Sequence, residues 1–352
     1  MSDLFKDILH SDESLFLNPQ FLDSDFIPPI IKFRENEQQY IAQCIKPILM
    51  KRDGKNLLIK GSPGIGKTLA SRHVLSELKK DSNDVFCVYV NCWKKDSSFK
   101  ILNEMCSQLN YKYVFNKSFD VLMKDICALI NEKSLVIVLD EIDRLTDNTI
   151  LYSLLEDIYR KSIIMITNDD EFLSSMDARI KSRMIPETLE FKTYNANEID
   201  SILRERAEYA FVKNVMDDEC FELISEKTFE FKDLRTGLFL LKESGEVAES
   251  LSSRKITPEH TMKALEKLNA SIIKEVNDDN KDVIDLIKLN SGKTTAEIFK
   301  EYESKYGKSY RTFQRKIKDL EKMNIITLKE LNKGREGRST VVEFNQKMLA
   351  DY

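Results

Sequence analysis

The chain has 352 residues, of which 42% are hydrophobic and 32% are charged. This balance is typical of globular proteins and excludes a fibrous or largely disordered chain, and the length predicts two to three domains. No uninterrupted apolar run approaches the roughly 20 residues that cross a bilayer, so we expect no membrane partner. The acidic first thirty residues lack the basic start and long apolar segment of an export signal, which predicts a cytoplasmic protein.

Charge is distributed unevenly along the chain, whose net charge is −5. Residues 281–352 carry 16 Lys and Arg against 11 Asp and Glu, whereas the rest of the chain carries 38 against 48. This asymmetry predicts an acidic body joined to a basic C-terminal domain. Six cysteines occur without a C-x-x-C pair and with only three histidines, so we expect reduced thiols, mostly in the core, rather than metal ligands.

Five short apolar segments alternate with amphipathic helical patterns in the first half of the chain. Between the second and third segments, apolar residues from Phe119 to Ile130 recur at helical spacing and place one face of a helix against a sheet. This alternation predicts an α/β fold with a parallel sheet, which we assign to residues 1–194. The predicted strands are 56–60, 85–90, 135–139, 162–166 and 188–191.

The strand pattern stops after about residue 195, and amphipathic helices follow. We therefore assign residues 195–276 to a separate helical domain. The polar stretch 277–281, Asn-Asp-Asp-Asn-Lys, is predicted to be a linker or a helix junction, and residues 277–352 are predicted to form a third domain. The predicted helices of the second domain are 199–211, 218–228, 234–251 and 257–272.

Residues 61–68 match the phosphate-binding pattern G-x-x-x-x-G-K-[ST] between a predicted strand and a predicted helix. Gly64 and Gly66 would let backbone N–H groups turn towards phosphate oxygens at a helix N-terminus. Lys67 would bridge the β- and γ-phosphates of ATP, and Thr68 would bind Mg²⁺. An ordinary glycine-rich turn is the alternative. The residues predicted to contact ATP or ADP here are Gly61, Ser62, Pro63, Gly64, Ile65, Gly66, Lys67, Thr68 and Leu69.

Carboxylates follow the strand predicted at 135–139, and a buried strand tolerates charge only where it leaves the core. Asp140 is a predicted Mg²⁺ ligand, and Glu141 is predicted to orient or deprotonate the attacking water. Asn168 follows the next strand and would reach the γ-phosphate or that water, because ligands lie at the carboxyl ends of parallel strands. The alternatives are a plain strand end and a turn-forming asparagine.

Arg179 and Arg183 lie on a short predicted helix after these strands. Either arginine could project into the nucleotide pocket of a neighbouring subunit, where a positive charge on the transferred phosphoryl group accelerates hydrolysis. Which of the two would act is left open, and a solvated basic surface is the alternative.

The order of these motifs, followed by a helical domain, resembles the AAA+ ATPases. Residues 233–248 begin Asp-Leu-Arg-Thr-Gly and are similar to the second sensor helix of initiators of the origin recognition complex and cell-division-cycle-six type, chiefly archaeal ones. The resemblance implies that Arg235 contacts the γ-phosphate and reports the nucleotide state. It also implies four further residues beside the nucleotide: Phe33 and Arg34 near the adenine, and Tyr194 and Arg206.

A cationic stripe is predicted on a helix within residues 309–324. Phe313, Ile317 and Leu320 fall on one face, and the cations recur on the opposite face at positions i, i+4, i+7 and i+11. A Lys/Arg stripe alone is more often a solvated helix face. The predicted DNA contacts on this helix are Arg311, Arg315, Lys318 and Lys322.

Two short strands, at 325–328 and 341–344, flank a basic turn that contains glycine, which predicts a wing beside the cationic helix. The helix would enter a major groove, and the turn would meet phosphates or the minor groove. The cationic helix and the basic turn converge on one surface. The C-terminal part of the chain also resembles the winged-helix domain of the same initiator family. The predicted contacts in the turn are Lys333, Arg335 and Arg338.

Residues 93–117 occur where this family inserts an additional helix that contacts DNA. Trp93, Lys94, Lys95 and Lys100 are candidate contacts, and a hydrophobic anchor with solvated lysines is the alternative.

These features predict an ATP-dependent replication initiator with slow ATPase activity that binds double-stranded origin DNA and associates with the nucleoid. By resemblance, it would assist loading of the replicative helicase and work with other initiator subunits on DNA. ATP would act as a switch, because contacts to its γ-phosphate would clamp the helical domain. The alternatives are a DNA-binding regulator that holds nucleotide without turnover, and a clamp-loader-like or mobile-element AAA+ ATPase.

Overall fold

The computed structural model describes residues 14–322, 326–332 and 338–344. The chain divides into two compact units, and the division falls between residues 262 and 263. In the described part of the chain, no helix is both long enough and apolar enough to cross a bilayer.

A five-stranded sheet organises the first unit, and its strands pair in the order β2-β3-β4-β1-β5 with every pair parallel. Strand β3, which pairs with β2 on one side and β4 on the other, is buried along its whole length, as its unbroken apolar sequence requires. All five predicted strands are confirmed, with small differences in their ends. The strands are β1 (Leu57–Lys60), β2 (Val85–Asn91), β3 (Ser134–Asp140), β4 (Lys161–Thr167) and β5 (Glu187–Glu190).

Helices cover both faces of this sheet, and each face has its own apolar cluster. Leu122 and Ile126 of α4 pack in the cluster on one face, which confirms the predicted amphipathic helix. Ile41 of α1 and Leu75 of α2 pack in the cluster on the other face. The helices are α1 (Glu35–Leu49), α2 (Lys67–Asp81), α3 (Ser98–Gln108), α4 (Phe119–Asn131), α5 (Thr149–Asp157), α6 (Phe172–Ser175) and α7 (Ala178–Met184).

Four helices follow the sheet, as predicted for the second domain. They are α8 (Ala196–Ala210), α9 (Asp218–Phe231), α10 (Leu234–Ser250) and α11 (Pro258–Leu289). Asn195 and Glu198 form a capping box at the start of α8, and Asp233 caps α10 by accepting from the Arg235 N–H. We call α8, α9 and α10 the lid.

The N-terminal segment, residues 14–23, is attached to the lid. It contains the 3₁₀ helix Pro19–Leu22, and Phe16 forms an antiparallel bridge with Phe211. Its attachment needs a glycine in α10, because a Cβ on Gly245 would lie 2.5 Å from the Phe16 ring. Glu249 of α10 accepts a hydrogen bond from the Leu15 N–H.

The predicted linker at 277–281 is wrong, because α11 continues through this stretch without interruption. Asn and Asp each cost a helix only about 0.7 kcal/mol relative to Ala, and no Gly or Pro follows Pro258 before Leu289. Polar composition alone therefore does not end the helix.

The second unit has an apolar core formed by the end of α11, two further helices and an antiparallel hairpin. Helices followed by such a hairpin form a winged helix. Both strands are longer than predicted, so Arg338 begins a strand and pairs with Asn332 instead of lying in the turn. The elements are α12 (Thr295–Tyr306), α13 (Tyr310–Lys322), β6 (Ile326–Asn332) and β7 (Arg338–Phe344).

Candidate functional site

A cavity of about 570 Å³ lies where the carboxyl ends of the sheet strands face the lid. This size suits a small-molecule ligand. The cavity brings together most of the predicted nucleotide residues, which come from six separate stretches of sequence. Those in its lining are Pro63, Gly64, Ile65, Gly66, Lys67, Thr68, Leu69, Asp140, Glu141, Asn168, Tyr194, Arg206 and Arg235. Phe33, Arg34, Gly61, Ser62, Arg179 and Arg183 are not in its lining.

The phosphate-binding loop joins β1 to α2 and depends on glycine at its bends. Gly64 and Gly66 have φ angles of +71° and +91°, in the left-handed region that side chains rarely adopt. Gly66 also has the Tyr194 hydroxyl close by, because a Cβ at this position would lie 2.9 Å from it. The loop ends at the N-terminus of α2, which begins at Lys67. Backbone N–H groups and the helix dipole favour an anion at this position.

Lys67 is buried in the loop and donates three hydrogen bonds from its Nζ. The acceptors are the Gly61 and Ser62 carbonyl oxygens, each at 2.6 Å, and Asn168 Oδ1 at 2.7 Å. Burial lowers the pKa of Lys67 to about 8, although the nearby Asp140 carboxylate opposes this shift. Lys67 and Asn168, which are 101 residues apart in sequence, thus form one polar contact at the floor of the site.

Asp140 ends β3 and is almost fully buried. Its Oδ2 accepts hydrogen bonds from the Thr68 hydroxyl at 2.6 Å and the Tyr89 hydroxyl at 2.7 Å. Thr68 and Asp140 thus present neighbouring hard oxygen atoms, which are the ligands Mg²⁺ prefers. Among the described residues no group of three or more His, Cys, Asp and Glu could hold a metal. The site fits Mg²⁺ all the same, because this ion usually takes only one or two protein carboxylates and completes its shell with water and phosphate.

Glu141 follows Asp140 and has a left-handed φ of +53°. This turn points the chain out of the sheet at the cavity wall. Burial raises the pKa of Glu141, and the like charges of Asp140 and Asp143 raise it further. A side-chain hydrogen bond with Asn91 acts in the opposite direction. A carboxylate with a raised pKa beside a phosphate loop is suited to accept a proton from water.

Tyr194 and Arg206 line the cavity, but the Arg206 guanidinium is engaged elsewhere. Its Nη1 donates to the Phe21 carbonyl oxygen at 3.0 Å, and its Nη2 donates to the Phe26 carbonyl oxygen at 3.4 Å. Arg206 therefore fixes the N-terminal stretch beside the cavity as well as contributing to its wall.

Arg34 lies behind the phosphate-binding loop. Its Nε donates to the Ile65 carbonyl oxygen at 3.1 Å, its Nη2 donates to the Lys192 carbonyl oxygen at 2.6 Å, and its guanidinium stacks 3.9 Å from the centre of the Tyr194 ring. This buried arginine supports the loop from outside the cavity. Phe33 precedes it with a left-handed φ of +61°.

Arg179 and Arg183 are exposed on α7 and do not face the cavity of their own chain. Arg183 forms an ion pair with Glu156. This placement leaves both side chains accessible to a second molecule.

Tyr89, Asn91 and Asp233 are functional candidates that sequence reasoning missed. Tyr89 and Asn91 line the cavity, and the β2–β3 register places Asn91 opposite Asp140. Strand β2 ends in a polar residue, as β3 and β4 do, and this common feature was the available signal. Asp233 could have been identified as a helix N-cap, because an Asp directly before an amphipathic segment is typical of that position.

The cationic face predicted on α13 is confirmed where the structure describes it. Phe313, Ile317 and Leu320 are buried, with exposed fractions of 4% or less. The predicted contacts Arg311, Arg315 and Lys318 are exposed on the other face. Lys322 is the last residue of α13, and Lys333 and Arg335 lie outside the described residues.

The segment after β2 contains helix α3 and exposed aromatic residues. Trp93 is 60% exposed, and the Arg144 guanidinium lies 4.3 Å from its ring centre. Lys95 pairs with Glu104 at 3.2 Å, and Lys100 pairs with Asp96 at 2.7 Å. Lys95 and Lys100 are thus members of surface ion pairs.

All six cysteines are free and buried, as expected from the sequence. They contribute to packing in the protein interior.

Two family models match parts of the chain. Residues 50–168 match an AAA domain, and residues 200–266 match a Cdc6 AAA+ ATPase-type lid domain. The second match covers much of the lid defined above and the beginning of α11.

Relatives and solved structures match nearly the whole chain. ORC1-type DNA replication protein 1 of Sulfurisphaera tokodaii is 32% identical over 97% of this chain and 94% of its own. ORC1-type DNA replication protein 2 of Methanothermobacter thermautotrophicus is 28% identical over 96% and 94%. The structure of the Aeropyrum pernix ORC1 protein in complex with DNA has a TM-score of 0.76, 25% identity and 96% coverage of both chains. Cdc6p from Pyrobaculum aerophilum has the same fold, with a TM-score of 0.66, 17% identity and coverage of 96% and 97%. The chain belongs to the ORC1-type family of AAA+ DNA replication proteins.

Proposed function

We propose that this protein is an ATP-dependent initiator of DNA replication that binds origin duplex DNA through its winged helix and its AAA+ unit. The observation that carries the proposal is the contact of Lys67 with Asn168 and of Thr68 with Asp140, which unites three distant segments in one phosphate site. The solved A. pernix relative in complex with DNA supports the DNA-binding part.

ATP or ADP would occupy the cavity with its phosphates on the loop from Gly61 to Leu69. Lys67 would leave the loop carbonyls to contact the β- and γ-phosphates, and Asn168, already bonded to Lys67, would face the γ-phosphate. Tyr194 and Arg206 would contact the rest of the nucleotide. Phe33 and Arg34 would lie near its adenine and support the loop from behind.

Thr68 and Asp140 would hold Mg²⁺ through their neighbouring oxygen atoms. When bound, this ion neutralises charge on the phosphate oxygens. Tyr89 would keep the Asp140 carboxylate oriented towards the cavity.

Hydrolysis requires a water molecule to attack the γ-phosphorus while its proton is removed. Glu141 would accept that proton, and Asn168 would orient the water or the γ-phosphate. The bond from the γ-phosphorus to the bridging oxygen then breaks, and the products are ADP and inorganic phosphate. We expect slow turnover. Arg179 or Arg183 would supply a positive charge to the pocket of a neighbouring subunit, since neither reaches its own.

Arg235 on the lid would contact the γ-phosphate and report whether ATP or ADP is bound. Nucleotide state would thereby control DNA binding, because only ATP offers the γ-phosphate contact to the lid. We further propose that the protein acts with other initiator subunits, assists loading of the replicative helicase and is cytoplasmic and nucleoid-associated.

DNA would be held by the exposed cations of α13 and by the basic residues Lys333, Arg335 and Arg338 beyond it. The test is to map the genomic fragments that the full chain binds with ATP and with ADP. We expect the ATP-dependent fragments to coincide with replication start points. Uniform binding along the genome, or identical binding with both nucleotides, would contradict the proposal.

A separate substitution tests the proposed DNA-binding surface of α13. Arg315→Ala in the full chain should weaken duplex binding about fivefold and reduce the slope of log affinity against log salt by about one, as expected for one lost phosphate contact. Lys79→Ala, which removes an exposed cation of α2, is the matched control and should leave both quantities unchanged.

A further inference from the structure

The first turn of the lid helix α10 rests directly on the phosphate-binding loop. The Leu234 N–H donates to the Gly64 carbonyl oxygen at 3.2 Å. The Asp233 carboxylate covers the Gly64 Cα so closely that a Cβ there would lie 1.8 Å from Asp233 Oδ1. Any side chain at position 64 would therefore displace this carboxylate or the loop, in addition to the strain at the left-handed φ of Gly64. The lid and the loop are joined at this one glycine by a hydrogen bond and a close packing contact.

The same carboxylate holds the Arg235 side chain. Asp233 Oδ1 accepts from the Arg235 backbone N–H at 2.9 Å, which caps the helix, and from Arg235 Nε at 3.2 Å. Arg235 lines the cavity in this arrangement, although 57% of its side chain is exposed. A guanidinium bonded through Nε keeps its opposite edge, formed by the two Nη groups, for a second anion. The ion pair therefore leaves Arg235 suited to bind a phosphate in the cavity.

Both charges are close enough to act on the centre of the site. Burial is the main cause of the lowered pKa of Lys67, and among the neighbouring charges Arg235 lowers that pKa whereas Asp233 raises it. The pair thus lies within electrostatic reach of the lysine that would contact the phosphates.

We propose that Asp233 is a positioning residue for nucleotide discrimination: it fixes Arg235 on the lid, over the phosphate-binding loop, so that Arg235 recognises the γ-phosphate. The inference rests on the proposed role of Arg235. A long exposed arginine loses conformational freedom when it binds, and that loss weakens binding. Asp233 reduces the loss by ordering Arg235 before ATP arrives. ADP lacks the γ-phosphate, so Asp233 should affect ATP binding more than ADP binding.

The test is to measure the affinities of the full chain for Mg-AMPPNP and Mg-ADP by equilibrium titration. Asp233→Ser retains a good helix cap but is too short to reach Arg235 Nε. We expect it to weaken AMPPNP binding about three- to tenfold, the size expected when one flexible side chain must be ordered on binding, and to change ADP binding less than about twofold. Asp233→Asn keeps an oxygen acceptor at the same distance and should restore part of the loss. In an Arg235→Ala background, Asp233→Ser should have no further effect on AMPPNP affinity.

Asp217→Ser is the matched control, because Asp217 occupies the N-cap position of the neighbouring lid helix α9 and does not line the cavity. It should leave both affinities unchanged. Equal weakening of AMPPNP and ADP by Asp233→Ser, or no weakening of either, would overturn the assignment of Asp233. If Arg235→Ala lowers the preference for AMPPNP but Asp233→Ser does not, only the role of Asp233 fails. If Arg235→Ala itself leaves the preference for AMPPNP unchanged, the proposed sensor role of Arg235 and the positioning role of Asp233 both fail.

Discussion

Tyr89 donates a hydrogen bond from its hydroxyl to Asp140 Oδ2 at 2.7 Å, which links the end of β2 to the carboxylate that ends β3. Thr68 reaches the same oxygen from the start of α2. Burial raises the pKa of Tyr89, and the Asp140 charge raises it further, so the phenol stays protonated and remains a donor. Two hydroxyl groups from different elements therefore set the orientation of one buried carboxylate.

The variant Tyr89→Phe removes this donor and keeps the aromatic ring in place. We expect about a tenfold lower ATPase rate and a higher Mg²⁺ concentration for half-maximal rate, because a hydrogen bond to a charged group contributes about 1.5 kcal/mol. The measurement is a Mg²⁺ titration of phosphate release by the purified full chain.

Tyr40→Phe is the matched control for this experiment. It removes a tyrosine–carboxylate hydrogen bond of 2.5 Å, from Tyr40 to Glu187, at a position that does not line the cavity. Its ATPase rate and Mg²⁺ dependence should match those of the unaltered protein. An unchanged Mg²⁺ dependence in Tyr89→Phe would show that Asp140 does not need this donor.

Glu141→Gln tests whether the site hydrolyses ATP. The substitution keeps the shape of the side chain and removes the base, so nucleotide binding should persist while phosphate release falls about a hundredfold or more. Lys67→Ala should instead lose nucleotide binding. The measurements are single-turnover phosphate release and equilibrium nucleotide titration. If Glu141→Gln releases phosphate at the unaltered rate, a DNA-binding regulator with structural nucleotide becomes the better description.

The pH dependence of nucleotide binding follows from Lys67. Its pKa is lowered to about 8 by burial, so the free protein loses this positive charge as the pH rises above that value. Since phosphate binds the charged form, ADP affinity should fall above pH 8, approaching tenfold per pH unit. Lys67→Arg keeps its charge throughout this range, and whatever affinity it has should be constant from about pH 7.5 to 9.5. A flat profile in the unaltered protein would contradict the assignment.

Local patterns in the sequence were sufficient to predict the sheet and the phosphate-binding loop. The five strands, Lys67, Asp140 and Asn168 were predicted because each is identified by its immediate neighbours and by the end of a strand. The environment of Arg34 could not be predicted, since its bond to the Lys192 carbonyl oxygen joins residues 158 positions apart. Tyr89 reaches Asp140 through the pairing of two strands, and spacing along one strand does not contain that register.

The wrong linker illustrates a different limit. A polar stretch has no apolar periodicity, so the pattern that predicts helices ends there, but the backbone of α11 continues through it. Helix continuation depends on the absence of Gly and Pro and on the packing of the flanking turns more than on local polarity. The buried residues Val283 and Ile287 after the stretch supply that packing.

A partly buried charge network around Asp282 is expected to make the stability of the second unit depend on acid pH. Asp282 accepts hydrogen bonds from Lys316 Nζ at 2.6 Å, Lys308 Nζ at 2.9 Å and the Tyr302 hydroxyl at 3.0 Å. Burial alone would raise the pKa of Asp282, but these three donors outweigh it and lower the pKa to about 2. The ordinary value of an unfolded Asp is about 3.9. Because the folded pKa is the lower one, the stabilisation is present above about pH 4 and is lost as the pH falls towards 2.

We therefore expect Asp282→Asn to lower the free energy of unfolding by about 3 kcal/mol at pH 7, because it removes the carboxylate that neutralises the buried Lys316 ammonium. The loss should shrink at lower pH, since protonation removes the same charge from the unaltered protein. The measurement is a series of denaturant melts of the full chain from pH 7 to pH 3, with the transition of the second unit followed separately. Asp285→Asn changes an exposed carboxylate on the same helix and should alter stability by less than about 0.5 kcal/mol. An equal effect of the two variants would mean that the Asp282 network does not stabilise the winged helix.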